Sequence, residues 1–149
     1  MRIKKTKLHL YFILLLIVFG ISCSDRFCKS FTSAVQVTCN GSNDSCYITL
    51  GKVFNFEWDS LYVFDSELYP EEVSKRLGVD CNCKIIQDGQ RRIYFIKGDK
   101  IVKQYLSRCD KVNFVMMRDK GVVVTDPMTS FLMERKLVNN EISYYLFKQ

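Results

Sequence analysis

Seven cysteines, a cluster of four carboxylates and a run of aromatic residues are the groups in this 149-residue chain with the means to do chemistry. The tightest cysteine spacing is Cys81-Asn82-Cys83. A CxC pair can act as a redox couple, as half of a metal site, or as two structural cysteines with separate partners. Redox enzymes more often use CxxC beside a helix N-terminus, and zinc sites need a second Cys or His pair at matched spacing. Neither context occurs here, so structural disulfides are expected and no metal is. The acidic group is Glu57, Asp59, Asp65 and Glu67. Glu57 and Asp59 are two apart and share a face on a strand. Paired carboxylates about 5 to 9.5 Å apart can hydrolyse glycosidic bonds. Acids alternating with aromatics are also the solvent side of a half-buried strand, and that reading is preferred. Asp59 is then expected to bond backbone groups where the chain turns between Trp58 and Leu61. Trp58, Tyr62 and Phe64, and later Tyr144 and Tyr145, pose a choice between a sugar- or peptide-binding platform and core packing. Aromatics dominate buried area in small domains, which favours the core.

The first residues speak to address. Arg2, Lys4, Lys5 and Lys7 precede an apolar run over residues 10–19, followed by Gly20, Ser22 and Cys23. This is the layout of a secretory signal peptide over residues 1–22. The competing reading, a transmembrane anchor, needs about 20 apolar residues. Gly20-Ile21-Ser22-Cys23-Ser24 resembles a bacterial lipobox, in which the cysteine becomes the lipidated first residue of the mature protein. Ser22 and Ile21 fit that pattern, and Gly20 departs from the usual Leu. The resemblance implies lipidation at Cys23 and anchoring by its acyl chains. Ser24 resembles the signal that sorts lipoproteins to the outer membrane.

Removing Cys23 leaves Cys28, Cys39, Cys46, Cys81, Cys83 and Cys109, an even set suited to three disulfides in an oxidising compartment. Six cysteines allow fifteen connectivities, and spacing does not choose among them. The only histidine is His9, inside the signal segment. Its loss excludes Ser-His-Asp and Cys-His nucleophiles, histidine-ligated metals and imidazole acid–base chemistry. There is no GxSxG, P-loop or GxGxxG motif either. No catalytic residue and no cofactor are assigned. Four of the 22 basic residues leave with the signal, so 18 face 16 acids and the net charge falls from +6 to +2. Nucleic-acid binding thereby loses its electrostatic basis. Lys75-Arg76 and Arg91-Arg92 are read as solvent-facing, at a helix end and a strand entrance.

The elements that must position these groups follow from periodicity. Residues 23–45 are rich in Ser, Thr and Asn and read as a lipid-anchor site and tether, partly ordered by disulfides, with formal glycosylation acceptors at Asn40 and Asn43. Residues 46–149 form a single domain. Residues 46–50 read as a strand, and 54–59 alternate apolar and polar as a half-buried strand or extended segment. The run 61–64 is apolar throughout, as in a strand buried on both faces. Pro70 opens a helix with acids in its first turn, bases in its last, Val73 and Leu77 on one face, and Gly78 past its end. Residues 91–96 and 101–106 flank a Lys97-Gly98-Asp99-Lys100 turn as a β-hairpin. A second hairpin is read at 112–117 and 122–125 around Asp119-Lys120-Gly121. A third is read at 131–137 and 142–147, where the first arm also has a helical reading. The expected fold is α+β: an antiparallel sheet of about five or six strands with one main helix.

Three segments together resemble an uncharacterised group of small bacterial lipoproteins. They are Phe56-Glu57-Trp58-Asp59-Ser60-Leu61-Tyr62-Val63-Phe64, the helix end Leu77-Gly78, and the Lys97-Gly98 turn after Ile93-Tyr94-Phe95-Ile96. The resemblance spans roughly residues 54 to 115. It implies an envelope-anchored domain and brings no catalytic residues. The expected role is therefore a non-enzymatic structural or protein-interaction lipoprotein, partnered by the membrane through its lipid and by an envelope protein. The alternatives are a ligand-binding or inhibitor-like module, and an enzyme working through carboxylates or Cys81 and Cys83.

Overall fold

A computed structural model describes residues 25–39, 44–66, 68–115 and 122–149. The signal segment 1–22, Cys23, Ser24, Asn40, Asn43, Glu67 and the turn at 119–121 lie outside the described residues. Among those described, the chain is α+β. Its elements run α1 (Arg26–Thr38), β1 (Ser45–Thr49), α2 (Leu50–Val53), β2 (Ser60–Phe64), α3 (Pro70–Leu77), β3 (Arg91–Lys97), β4 (Lys100–Ser107), β5 (Val112–Val115), β6 (Val122–Thr125), β7 (Ser130–Val138) and β8 (Glu141–Lys148). The strands form two four-stranded sheets, ordered β1-β7-β8-β5 and β4-β3-β2-β6. Local reading undercounts them because short strands such as β1 and β6 acquire their partners far along the chain.

The helix over residues 70–77 forms as its sequence signals require. Pro70 sits in the first turn with Glu71 and Glu72, Lys75 and Arg76 in the last, and Arg76 Nε donates to Glu72 Oε1 at 2.8 Å. Gly78 closes it at φ 72°, a left-handed conformation that costs glycine nothing sterically. The hairpins β3–β4 and β7–β8 also form. Asn139 and Asn140 both take positive φ at the β7–β8 turn, which matches the right-handed twist of the strands, so residues 131–137 are strand and not helix. β2 lies between β3 and β6, the central place its unbroken apolar run implies.

Two expectations are corrected. Residues 112–115 and 122–125 do not pair with each other: β5 lies parallel to β8, and β6 lies antiparallel to β2. Apolar runs flanking a turn do not identify their partners, and here the two runs enter different sheets. Residues 26–38 are not a tether but α1. Asp25 caps the helix by accepting from the Cys28 N–H at 3.0 Å, and Phe27, Phe31 and Val35 fall on one buried face. Serine, threonine and valine are weak helix formers, so this helix depends on what it packs against.

That packing joins the molecule. One cluster unites α1 with Ile48, Phe131, Met133 and Leu146 from the first sheet and Leu61, Ile93 and Phe95 from the second. Phe95 is its hub, meeting Phe54, Phe56 and Trp58 edge-on at 4.7, 4.9 and 5.1 Å. A smaller cluster on the other face of the second sheet packs Phe64, Tyr94 and Ile96 under Val73 and Leu77 of α3 and Cys81. α2 docks through Gly51, whose N–H donates to the Pro127 carbonyl at 3.0 Å. A Cβ there would stand 2.9 Å from that oxygen.

Candidate functional site

All six cysteines among the described residues are bonded. Cys28 joins Cys109 across 81 positions and Cys39 joins Cys46 across 7, with Cα–Cα distances of 5.3 and 5.7 Å. The N-cap residue reinforces the first link, because Asp25 Oδ2 accepts from Ser107 Oγ at 2.5 Å and from the Arg108 N–H at 2.7 Å. Cys81 and Cys83 bond to each other at a Cα–Cα distance of 5.1 Å. The expectation of separate partners is thus corrected for this pair. Asn82 closes the small ring at φ 43°, a conformation asparagine tolerates better than most residues, and its N–H is taken by Asp80 Oδ1 at 2.9 Å. Ser74 on α3 holds the other side, its Oγ accepting the Cys81 N–H at 3.1 Å. In the bonded form neither sulfur is a thiolate ligand or nucleophile.

Beyond this ring the chain runs as residues 84–87 along the outer face of β3 and β4 and walls a groove of about 620 Å³. Cys83, Ile85 and Leu106 line it, with Tyr94, Gln104 and Arg92. The far end of the wall is fixed at Gln87, which accepts from Arg108 Nη2 at 2.8 Å and bonds Gln90 through its backbone. Arg92 is 3 % exposed, not solvent-facing as its place at a strand entrance led us to expect. Two adjacent residues on a strand must face opposite ways, and both faces of β3 are covered. Arg91 turns inward, donating to the Val112 carbonyl at 2.9 Å with Asp65 at 3.6 Å. Arg92 turns outward beneath the groove. Burial pushes the Tyr94 hydroxyl up from its ordinary range, against the pull of the Arg92 charge.

The carboxylates have structural partners. Asp59 Oδ2 accepts the Gly98 N–H at 2.7 Å, and Glu57 pairs with Lys97. Together they clamp the β3–β4 turn, a contact 39 or 40 positions away and not the local bond expected of Asp59. The Lys97 hydrogen bond and charge hold the Glu57 carboxyl below its ordinary value of 4.5, and Glu57 in turn raises Lys97 above 10.5. The glutamate contribution to stability is therefore complete above its unfolded pKa and lost as pH falls through its folded one. The lysine contribution is complete below its unfolded pKa and lost as pH rises through its folded one. Glu57→Gln is expected to flatten both limbs of a melting-temperature profile. Profiles that superimpose on wild type at both ends would show the pair to be incidental. Asp65 faces a void of about 10 Å³, too small for a substrate.

The aromatics resolve toward packing. Trp58, Phe64 and Tyr144 are buried, and Tyr62 stacks on Phe64 with centroids 6.0 Å apart. Tyr145 is half-buried under the Lys136 ammonium, 5.2 Å from its ring centroid. Among the described residues no group of three or more His, Cys, Asp or Glu side chains converges to hold a metal. No protein-family model matches the chain, and no curated protein or solved structure matches it either.

Proposed function

We propose that the chain is an exported lipoprotein of the bacterial envelope, held to the outer membrane by acyl chains on Cys23, whose α+β domain is a non-enzymatic module that docks a protein partner. The observation that carries this reading is the cysteine pairing: the six described cysteines use one another completely, leaving Cys23 as the odd one. Complete pairing belongs to an oxidising compartment, and a leftover cysteine after a basic and apolar leader is placed for lipidation. Carboxylates occupied by Lys97 and Gly98 argue against acid–base catalysis by that pair. The intact mass of protein from the membrane fraction tests the reading. It should begin at Cys23 with acyl chains, resist thiol alkylation before reduction, and take up six alkyl groups on the described cysteines afterwards. An uncleaved or unlipidated species with thiols open to alkylation overturns it. The second reading, a ligand-binding module, is favoured by the groove over Arg92 and bears on what the partner presents.

A further inference from the structure

Among the described residues no acidic side chain pairs with Arg92. Its Nη1 donates to the Leu68 carbonyl at 3.3 Å, while the buried Nη2 has no hydrogen-bond partner. A guanidinium keeps its charge at any accessible pH, so burial without an anion is costly, and a carboxylate that reaches it is strongly favoured. Among the described residues lining the groove none is acidic, and Lys84 adds a second cation to its wall. The neighbouring Arg91 has Asp65 at 3.6 Å, so the imbalance is confined to the groove side of β3.

The rest of the lining indicates what the anion carries. Ile85 and Leu106 present apolar surface, and the Gln104 amide offers both donors and an acceptor, as a peptide backbone requires. The volume falls within the range of about 300–1,000 Å³ typical of ligand sites. The wall is already set by the Cys81–Cys83 ring and the Arg108–Gln87 bond, so little ordering is left to binding.

We infer that the groove receives the end of an extended peptide, with its C-terminal carboxylate drawn to the Arg92 guanidinium at the groove floor and an apolar last side chain against Ile85 and Leu106. This deepens the protein-docking reading and rests on it. Calorimetric titration of the oxidised full chain with three probes tests it: the N-acetylated tripeptide Ala-Ala-Leu as free acid, the same tripeptide as C-terminal amide, and hexanoate. The free acid should bind, with the amide roughly tenfold to a hundredfold weaker and hexanoate weaker than the acid peptide. Leu106→Asp should abolish binding of the free acid. It places a like charge at a 56 % exposed position and does not disturb the core, so the test requires no substitution of the buried Arg92. Equal affinity for acid and amide, no binding of any probe, or unchanged binding in Leu106→Asp overturns the assignment. Hexanoate binding as tightly as the peptide overturns the peptide as occupant. The mass of the anchored protein is independent, so a failed titration beside an acylated Cys23 rejects the groove and not the lipoprotein.

Discussion

Phe31→Ala is expected to destabilise the domain by about 3–5 kcal/mol, the range for removing a large buried aromatic. Phe31 is 0 % exposed at the centre of α1 and packs with Phe27, centroids 6.3 Å apart, in the cluster that joins both sheets. A domain of this size is stable by only about 5–15 kcal/mol, so the loss takes a large share of the total. Urea unfolding of the oxidised chain measures it, and the midpoint should fall by more than about 1 M for the slopes usual in small proteins. Val37→Ala on the same helix, at a 78 % exposed position, should leave the midpoint nearly unchanged. Equal, negligible effects from both substitutions would mean that residues 26–38 are a tether after all.

The second large effect concerns the covalent link beside that helix. Replacing Cys28 and Cys109 together with alanine should cost about 4.5 kcal/mol, because the chain-entropy argument scales with the ring closed in the unfolded state. That ring spans 81 positions, against 7 for Cys39–Cys46, whose removal should cost about 2.5 kcal/mol on the same argument. The order of the two losses is the test. Unfolding midpoints showing the shorter ring to matter more would rule out loop closure as the source. Combined with Phe31→Ala, loss of the long ring should cost less than the sum, since both act by holding α1 to the core.

What could be read ahead of the fold was local. The helix at 70–77 carries its own cap, charges and stop. The hairpins at 91–106 and 131–147 have turn residues suited to their backbone, and the 61–64 run announces a doubly covered strand. What escaped depends on distant partners. α1 was concealed by serine and threonine of low helix propensity, although Phe27, Phe31 and Val35 are four apart and Asp25 stands two residues before the first. Its stability comes from Phe54, Tyr105 and Cys109, which no window around residue 30 contains. The same limit applies to β5 and β6, whose adjacency in sequence concealed membership of different sheets. For the groove, period two predicts that one of Arg91 and Arg92 must turn toward each face. Recognising that both faces are buried requires knowing that α3 and residues 81–87 cover one of them.

The place of β8 bears on the order in which the chain can mature. It is the last strand in sequence, yet it lies inside its sheet between β7 and β5. During synthesis from the N-terminus, β1 waits for β7, and β5 has no neighbour in its sheet until β8 arrives. Cys28, Cys39 and Cys46 emerge together well before Cys109, and oxidation in order of emergence would trap Cys28 with a neighbour. The native pairing therefore calls for delayed oxidation or for thiol–disulfide exchange.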